Sequence, residues 1–142
     1  MSDKILLVDD EEEFMRTLAR RLELRGVKVA TAESGPAAIE KARAESFDAI
    51  ILDVSMQPMD GIETLRLLRL EHPKLQVIFL TGYATVSRSV EAIKLGALDF
   101  LRKPADLAVL LEKIKEAKAK KMILSEEEKA SAIEEILKNK AW

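Results

Sequence analysis

The chain has 142 residues, 48% apolar and 34% charged, with a formal net charge of −2; this is the composition of one globular domain, not of a disordered or strongly nucleic-acid-binding chain. It contains no cysteine and one histidine, His72, which excludes a disulfide framework, thiolate zinc, a cysteine nucleophile and His-rich metal sites, and fits a reducing cytoplasm. No apolar stretch approaches the roughly 20 residues of a membrane span, and the N-terminus lacks the basic region of a signal peptide.

The first element is the apolar run ILLV at 5–8, without alternation and so suited to a strand buried on both faces of a parallel sheet. Acids follow from Asp9 to Glu13, then helical spacing at Phe14, Leu18 and Leu22, ending at Gly26 where a positive φ is wanted. Glu11, Glu12 and Glu13 suit a solvated helix start, favoured by the helix dipole. VKVAT at 27–31 is a weaker strand whose lysine suits a sheet edge. Ser34, Gly35 and Pro36 open a second helix. AIILD at 49–53 is the third strand, and Ile62, Leu65 and Leu68 mark the third helix, with His72 at its solvated end. VIFLT at 77–81 is the fourth strand, and Val86, Val90 and Ile93 mark a fourth helix stopped by Gly96.

LDFLR at 98–102 is the fifth strand; it runs into Lys103 and Pro104, and Leu107, Leu110, Leu111 and Ile114 mark a fifth helix reaching about residue 119. Lysines at 113, 115, 118, 120 and 121 interleave with Glu112 and Glu116 and read as a solvated face. Ser125 with Glu128 forms a capping box that predicts a separate sixth helix. Its narrow stripe of Ala130, Ile133 and Leu137, with Ile136 alongside, suits docking on the domain or on a second copy.

Strands alternating with helices predict a doubly wound α/β sheet, in which all parallel strands finish at one edge and ligands bind outside their carboxyl ends. Those ends carry Asp9 and Asp10, Asp53, Thr81, and Lys103 after Arg102. Three carboxylates brought together need a raised pKa or a cation, and an all-oxygen set suits Mg²⁺, or Mn²⁺, which normally also takes a phosphoryl oxygen. One of the carboxylates can then act as a nucleophile towards phosphorus, with Lys103 and the Thr81 hydroxyl holding the remaining phosphoryl oxygens. A nucleotide or flavin binder is disfavoured because no Gly-rich loop follows the first strand. A hydrolase is disfavoured by the position two residues after Asp9, where Glu11 stands instead of the second acid such an enzyme would want.

The motifs LLVDDE (6–11), IILDVSMQPMDG (50–61), FLTGYA (79–84) and ALDFLRKP (97–104), in this order and spacing, resemble the receiver domain of response regulators of bacterial two-component signalling, from about residue 4 to 117. The resemblance implies a flavodoxin-like five-stranded sheet of order 2-1-3-4-5 with helices on both faces, the receiver at 1–120 and a helical extension at 121–142 without a separate output domain. It implies that Asp53 accepts a phosphoryl group from a histidine kinase or phosphotransfer protein. It further implies that Asp10 binds Mg²⁺ directly, Asp9 through water, and the Ser55 backbone carbonyl also, while Lys103 contacts the phosphoryl group. Thr81 and Phe100 resemble the family's switch pair, next to a readout face of fourth helix, fifth strand and fifth helix that is also a candidate homodimer surface. The Lys103–Pro104 bond is expected to be cis. Receivers usually carry proline four residues after the acceptor, where this chain has Gln57 followed by Pro58. Two further readings are a phosphorylation-independent interaction module and a receiver cut from a longer transcriptional regulator; direct nucleic-acid binding by this chain is not expected.

Overall fold

The computed structural model describes residues 3–82 and 86–140. Tyr83 and Ala84 of the FLTGYA motif lie outside the described residues, as do Ala141, Trp142 and the side chain of Val86. The elements run β1 (Lys4–Val8), α1 (Glu12–Glu23), β2 (Lys28–Ala32), α2 (Gly35–Ala44), β3 (Ala49–Leu52), α3 (Gly61–Glu71), β4 (Val77–Thr81), α4 (Val86–Lys94), β5 (Asp99–Arg102) and α5 (Leu107–Lys140). The strands form one parallel sheet in the order β2-β1-β3-β4-β5, the doubly wound arrangement the alternation predicts. Lys28 sits exposed on the β2 edge, where its charge discourages pairing with another chain.

The unbroken apolar runs follow from burial on two sides. Leu6, Val8, Ile50, Leu52, Val77 and Phe79 point into a core beneath α2, α3 and α4. Their neighbours Ile5, Leu7, Ala49, Ile51, Ile78 and Leu80 point into a second core with Met15, Leu22, Leu110 and Ile114. Every residue of β3 and β4 is therefore buried, and each such Leu or Ile contributes about 1.5–3 kcal/mol by leaving water. Ser34 caps α2 by accepting from the Ala37 N–H at 3.2 Å, and Asp60 caps α3 through Glu63 N–H at 2.9 Å. Gly26 and Gly96 have φ of +85° and +100°, the left-handed stops that the sequence placed there.

The end of the chain departs from expectation. α5 runs unbroken from Leu107 to Lys140, so the helical extension exists as a continuation and not as a sixth helix started at Ser125. Neither glycine nor proline occurs between 106 and 140, and a capping box acts only where the preceding backbone leaves the helix. Glu128 turns instead to Lys74, at 2.8 Å. The lysine face is only partly solvated: Lys113 pairs with Asp99 at 3.0 Å, Lys118 with Asp3 at 3.1 Å, and Lys121 donates to the Phe47 carbonyl at 2.6 Å. His72 caps α3, but its ring Nε2 is buried without a hydrogen-bond partner, so this end is less wet than the sequence suggested.

Candidate functional site

The sheet register brings the strand ends together. Asp53 N–H donates to the Val8 carbonyl at 3.0 Å and Asp9 N–H to the Ala32 carbonyl at 3.2 Å, so Asp9 and Asp53 sit side by side just past β1 and β3. Oxygens of Asp9, Asp10 and Asp53 all lie within 4.8 Å of one another, Asp9 and Asp53 being only 2% and 3% exposed and Asp10 open to solvent. Asp9 Oδ1 accepts the Glu11 N–H at 2.8 Å, and Asp53 Oδ1 accepts the Ser55 N–H at 3.3 Å. Ser55 itself stands exposed on the loop that follows.

Lys103 reaches into this cluster from the loop after β5. Its Nζ lies 2.7 Å from Asp9 Oδ2, 3.7 Å from Asp53 Oδ2 and 3.3 Å from Glu11 Oε1, over the ring of Phe14 at 4.1 Å from its centroid. The Lys103–Pro104 peptide is cis, as is Gln57–Pro58 in the loop where the usual proline is displaced. Burial works against the Lys103 ammonium, but the neighbouring carboxylates outweigh it and raise its pKa. Burial pushes the Asp9 carboxyl up, and the charge on Asp53 adds to this, against the opposing pull of Lys103 and of the Glu11 N–H. One ammonium is thus too little positive charge for this cluster. An all-oxygen, partly open carboxylate set fits a hard dication.

Thr81 ends β4 fully buried, and its carbonyl accepts the Lys103 N–H at 2.9 Å. Register pairs Thr81 with Arg102 and Phe79 with Phe100, so Thr81 and Phe100 are diagonal neighbours on the same face of the sheet. The half-buried Phe100 ring lies 5.5 Å from Phe79. All the predicted site residues therefore converge on the carboxyl edge of the sheet or, for Phe100, just below it.

Three contributors were not singled out from sequence. Glu11, read as solvated, touches Lys103, and Phe14, read only as a helix-stripe residue, lies beneath it. Gly61 starts α3 against the end of β3, where a Cβ would run into the Asp53 carbonyl. Its place eight residues after Asp53, at a helix start, is a signal of close backbone approach.

A parallel sheet with an acid cluster, a lysine and a threonine at its carboxyl edge is a doubly wound α/β domain whose site could hold a hard dication. The chain belongs to the response regulator receiver domain family, whose family profile matches residues 5–115; such domains work in two-component signal transduction. It is 42% identical over 115 residues to the transcriptional regulatory protein ZraR of Klebsiella oxytoca, covering 81% of this chain and 26% of that one. Among solved structures it resembles a CheY-like receiver domain protein from Methanospirillum hungatei, at 30% identity and a TM-score of 0.80 over 86% of this chain and 98% of the other. It also resembles a response regulator from Burkholderia pseudomallei with a phosphorylated aspartic acid and a calcium ion, at 33% identity and a TM-score of 0.75 over 89% and 73%. The chain spans about a quarter of the length of the ZraR relative. Among the described residues no helix is long and apolar enough to cross a membrane.

Proposed function

We propose that the chain is a cytoplasmic phosphorylation-dependent switch in which Asp53 is the phosphoacceptor. The observation that carries this reading is the trio of carboxylates within 4.8 Å, two of them almost wholly buried, facing a single lysine. An Asp53 carboxylate oxygen attacks phosphorus, an O–P bond forms, and the P–N bond to the donor's histidine breaks, leaving the electron pair on the imidazole. Asp9, Asp10, Asp53 and the Ser55 carbonyl would hold Mg²⁺, which when bound offsets charge developing on the phosphoryl oxygens. Lys103, already beside Asp53, swings its ammonium onto a phosphoryl oxygen, and the Thr81 hydroxyl supplies a further donor. Movement of Thr81 towards the phosphoryl group frees space behind it for Phe100 to turn inward. This biases a two-state balance read out on α4, β5 and α5. Val90 and Ile93 of α4, 46% and 47% exposed, give that face apolar contact area.

Partners on this reading are a sensor histidine kinase or phosphotransfer protein, and a second copy or a downstream target on the readout face. Residues 1–120 form the receiver and 121–142 an extension. The ZraR relative, about four times the matched length, supports a second reading in which this receiver governs a longer transcriptional regulator. Incubation with Mg²⁺ and a small phosphoryl donor, followed by intact mass, tests the chemistry. Gain of one phosphate by the wild type alone, and not by Asp53→Asn or without magnesium, is the expected result. A folded protein that gains none is instead a phosphorylation-independent interaction module.

A further inference from the structure

The amino edge of the sheet, opposite the acid cluster, carries a cavity of about 480 Å³, within the roughly 300–1,000 Å³ usual for small-molecule sites. Three stretches far apart in sequence build it: the end of α2 with the loop before β3 (42–47), the end of α3 with the loop before β4 (71–75), and Lys121 from the extension of α5. Ala42, Ala44, Phe47, Pro73 and Leu75 give it an apolar wall. Phe47 and Leu75 are themselves buried in the core beneath α2 and α3, so the wall is held by the fold and not by one loop.

The charges around this cavity pair off with one exception. Arg43 holds Glu71 through bonds of 2.6 and 3.0 Å, Lys4 holds Glu45 at 2.6 Å, and Lys74 holds Glu128 at 2.8 Å. Among the described residues the half-buried Lys121 meets only neutral acceptors, the Phe47 carbonyl at 2.6 Å and the Ser46 hydroxyl at 2.9 Å. Asp48 attracts it from beyond ion-pair range, with one of its oxygens committed to the Lys4 N–H at 2.8 Å. Burial holds the Lys121 pKa below the ordinary lysine value, and the charge on Lys74 pushes the same way. An ammonium has three N–H donors, of which two are used here. The ring of His72 belongs to the same wall, and its Nε2 is buried without a partner, a second polar group that the fold leaves unsatisfied at this place.

We infer that the cavity is a binding site for a small organic monocarboxylate, its carboxylate on Lys121 and its apolar body against Phe47, Pro73 and Leu75. One uncompensated ammonium calls for one negative charge. A carboxylate takes the third Lys121 N–H in a short, charge-assisted bond and supplies the countercharge that no described residue gives. Partial burial strengthens that attraction beyond its value in water. Glu45 and Glu71 are already matched by Lys4 and Arg43, so they do not neutralise Lys121, and they disfavour a more highly charged anion. The remaining wall has no further charge to offer and rewards apolar area. Bound there, the ligand joins the extension of α5 to the loops before β3 and β4, at the edge of the sheet away from Asp53.

Titration of the full chain with benzoate, followed by NMR of the backbone amides, tests the site, with benzamide as the uncharged counterpart. Benzoate is expected to give saturable shifts at Ser46, Phe47, Leu75 and Lys121, with a dissociation constant on the order of 1 mM for a ligand of about nine heavy atoms. Benzamide should bind roughly tenfold more weakly, because it leaves the ammonium uncompensated. Acetate, which has the charge without the apolar body, should not saturate in the same range. Lys121→Met keeps the apolar stem, and it should weaken benzoate by a similar factor and erase the preference over benzamide, whereas Asp53→Asn should leave both probes unchanged. Absence of saturable shifts with benzoate overturns the inference. So does equal binding of benzoate and benzamide, acetate matching benzoate, or Lys121→Met binding benzoate as the wild type does. Circular dichroism checks the fold of Lys121→Met, and the comparison of the three probes on the wild type decides the matter without any variant.

Discussion

Asp9 shows what the cluster costs the fold. Its carboxyl is held above the usual carboxylate range by burial, even with Lys103 at 2.7 Å. The folded state therefore holds the Asp9 proton more readily than the unfolded chain does. The destabilisation is absent below the ordinary carboxylate pKa, grows as pH rises through that value, and is complete above the raised folded pKa. In metal-free buffer Asp9→Asn is expected to stabilise the domain at neutral pH, with the gain vanishing in acid. Asn Oδ1 can still accept the Glu11 N–H, and Lys103 keeps Glu11 and Asp53. Denaturant midpoints at several pH values check this; a variant less stable than wild type at neutral pH contradicts it. Magnesium should then stabilise the wild type more than Asp9→Asn, because the variant has lost one of the three carboxylates proposed to hold the ion. Gly61→Ala works in the other direction. Its Cβ meets backbone, the Asp53 carbonyl, which cannot swing aside as a flexible side chain would. A loss of about 1–3 kcal/mol is expected, together with slower phosphoryl transfer as the acceptor strand shifts. An unchanged midpoint and rate would show that α3 recoils freely.

At the scale of elements, what could be read in advance depended on whether a signal was local. β1, β3 and β4 were legible because burial on both faces demands uninterrupted apolar runs, and Gly26 and Gly96 marked helix ends by a backbone need no other residue meets cheaply. Asp9, Asp10, Asp53, Thr81 and Lys103 were legible together because parallel strands finish at one edge. Glu11 and Phe14 were not, since their role exists only once the β5–α5 loop carries Lys103 across to α1. The unbroken α5 was missed for a related reason: the local capping signal at Ser125 competes with Lys74, a partner remote in sequence. Within α5 the core half and the tethered half should differ in weight. Ile114 is fully buried, so Ile114→Ala is expected to cost about 2–5 kcal/mol. Lys121 makes two hydrogen bonds at the price of desolvation that lowers its pKa, so Lys121→Ala should cost only about 1 kcal/mol. Hydrogen exchange then distinguishes them: Lys121→Ala should speed exchange beyond residue 121 and leave the sheet protected, whereas Ile114→Ala lowers protection throughout. Equal global losses in both variants would mean the extension folds as one unit with the core.

For the whole molecule, the two edges of the sheet do different work. The amino edge holds the tethers of α5, while the carboxyl edge gathers like charge that the fold only partly offsets. A domain built this way keeps in its own site a destabilisation that, on the proposed reading, a bound dication relieves, and any ligand that binds only the folded state raises overall stability by mass action. Magnesium with beryllofluoride, a phosphoryl mimic, is therefore expected to raise the thermal midpoint. At one hundred times its dissociation constant a ligand adds about 2.7 kcal/mol, which for a domain of this size corresponds to roughly 5–15 °C. Magnesium alone should give a smaller rise, because it leaves the Lys103 ammonium and the Thr81 hydroxyl without a phosphoryl oxygen to hold. Asp53→Asn removes the carboxylate that the mimic must join and should abolish the additional rise while keeping the fold. The same titration followed by NMR should move resonances of α4 and β5 in the wild type, since Thr81 and Phe100 lie between the site and that face. A midpoint that rises without any change at α4 would confine the effect to the pocket and break the proposed link between phosphorylation and readout.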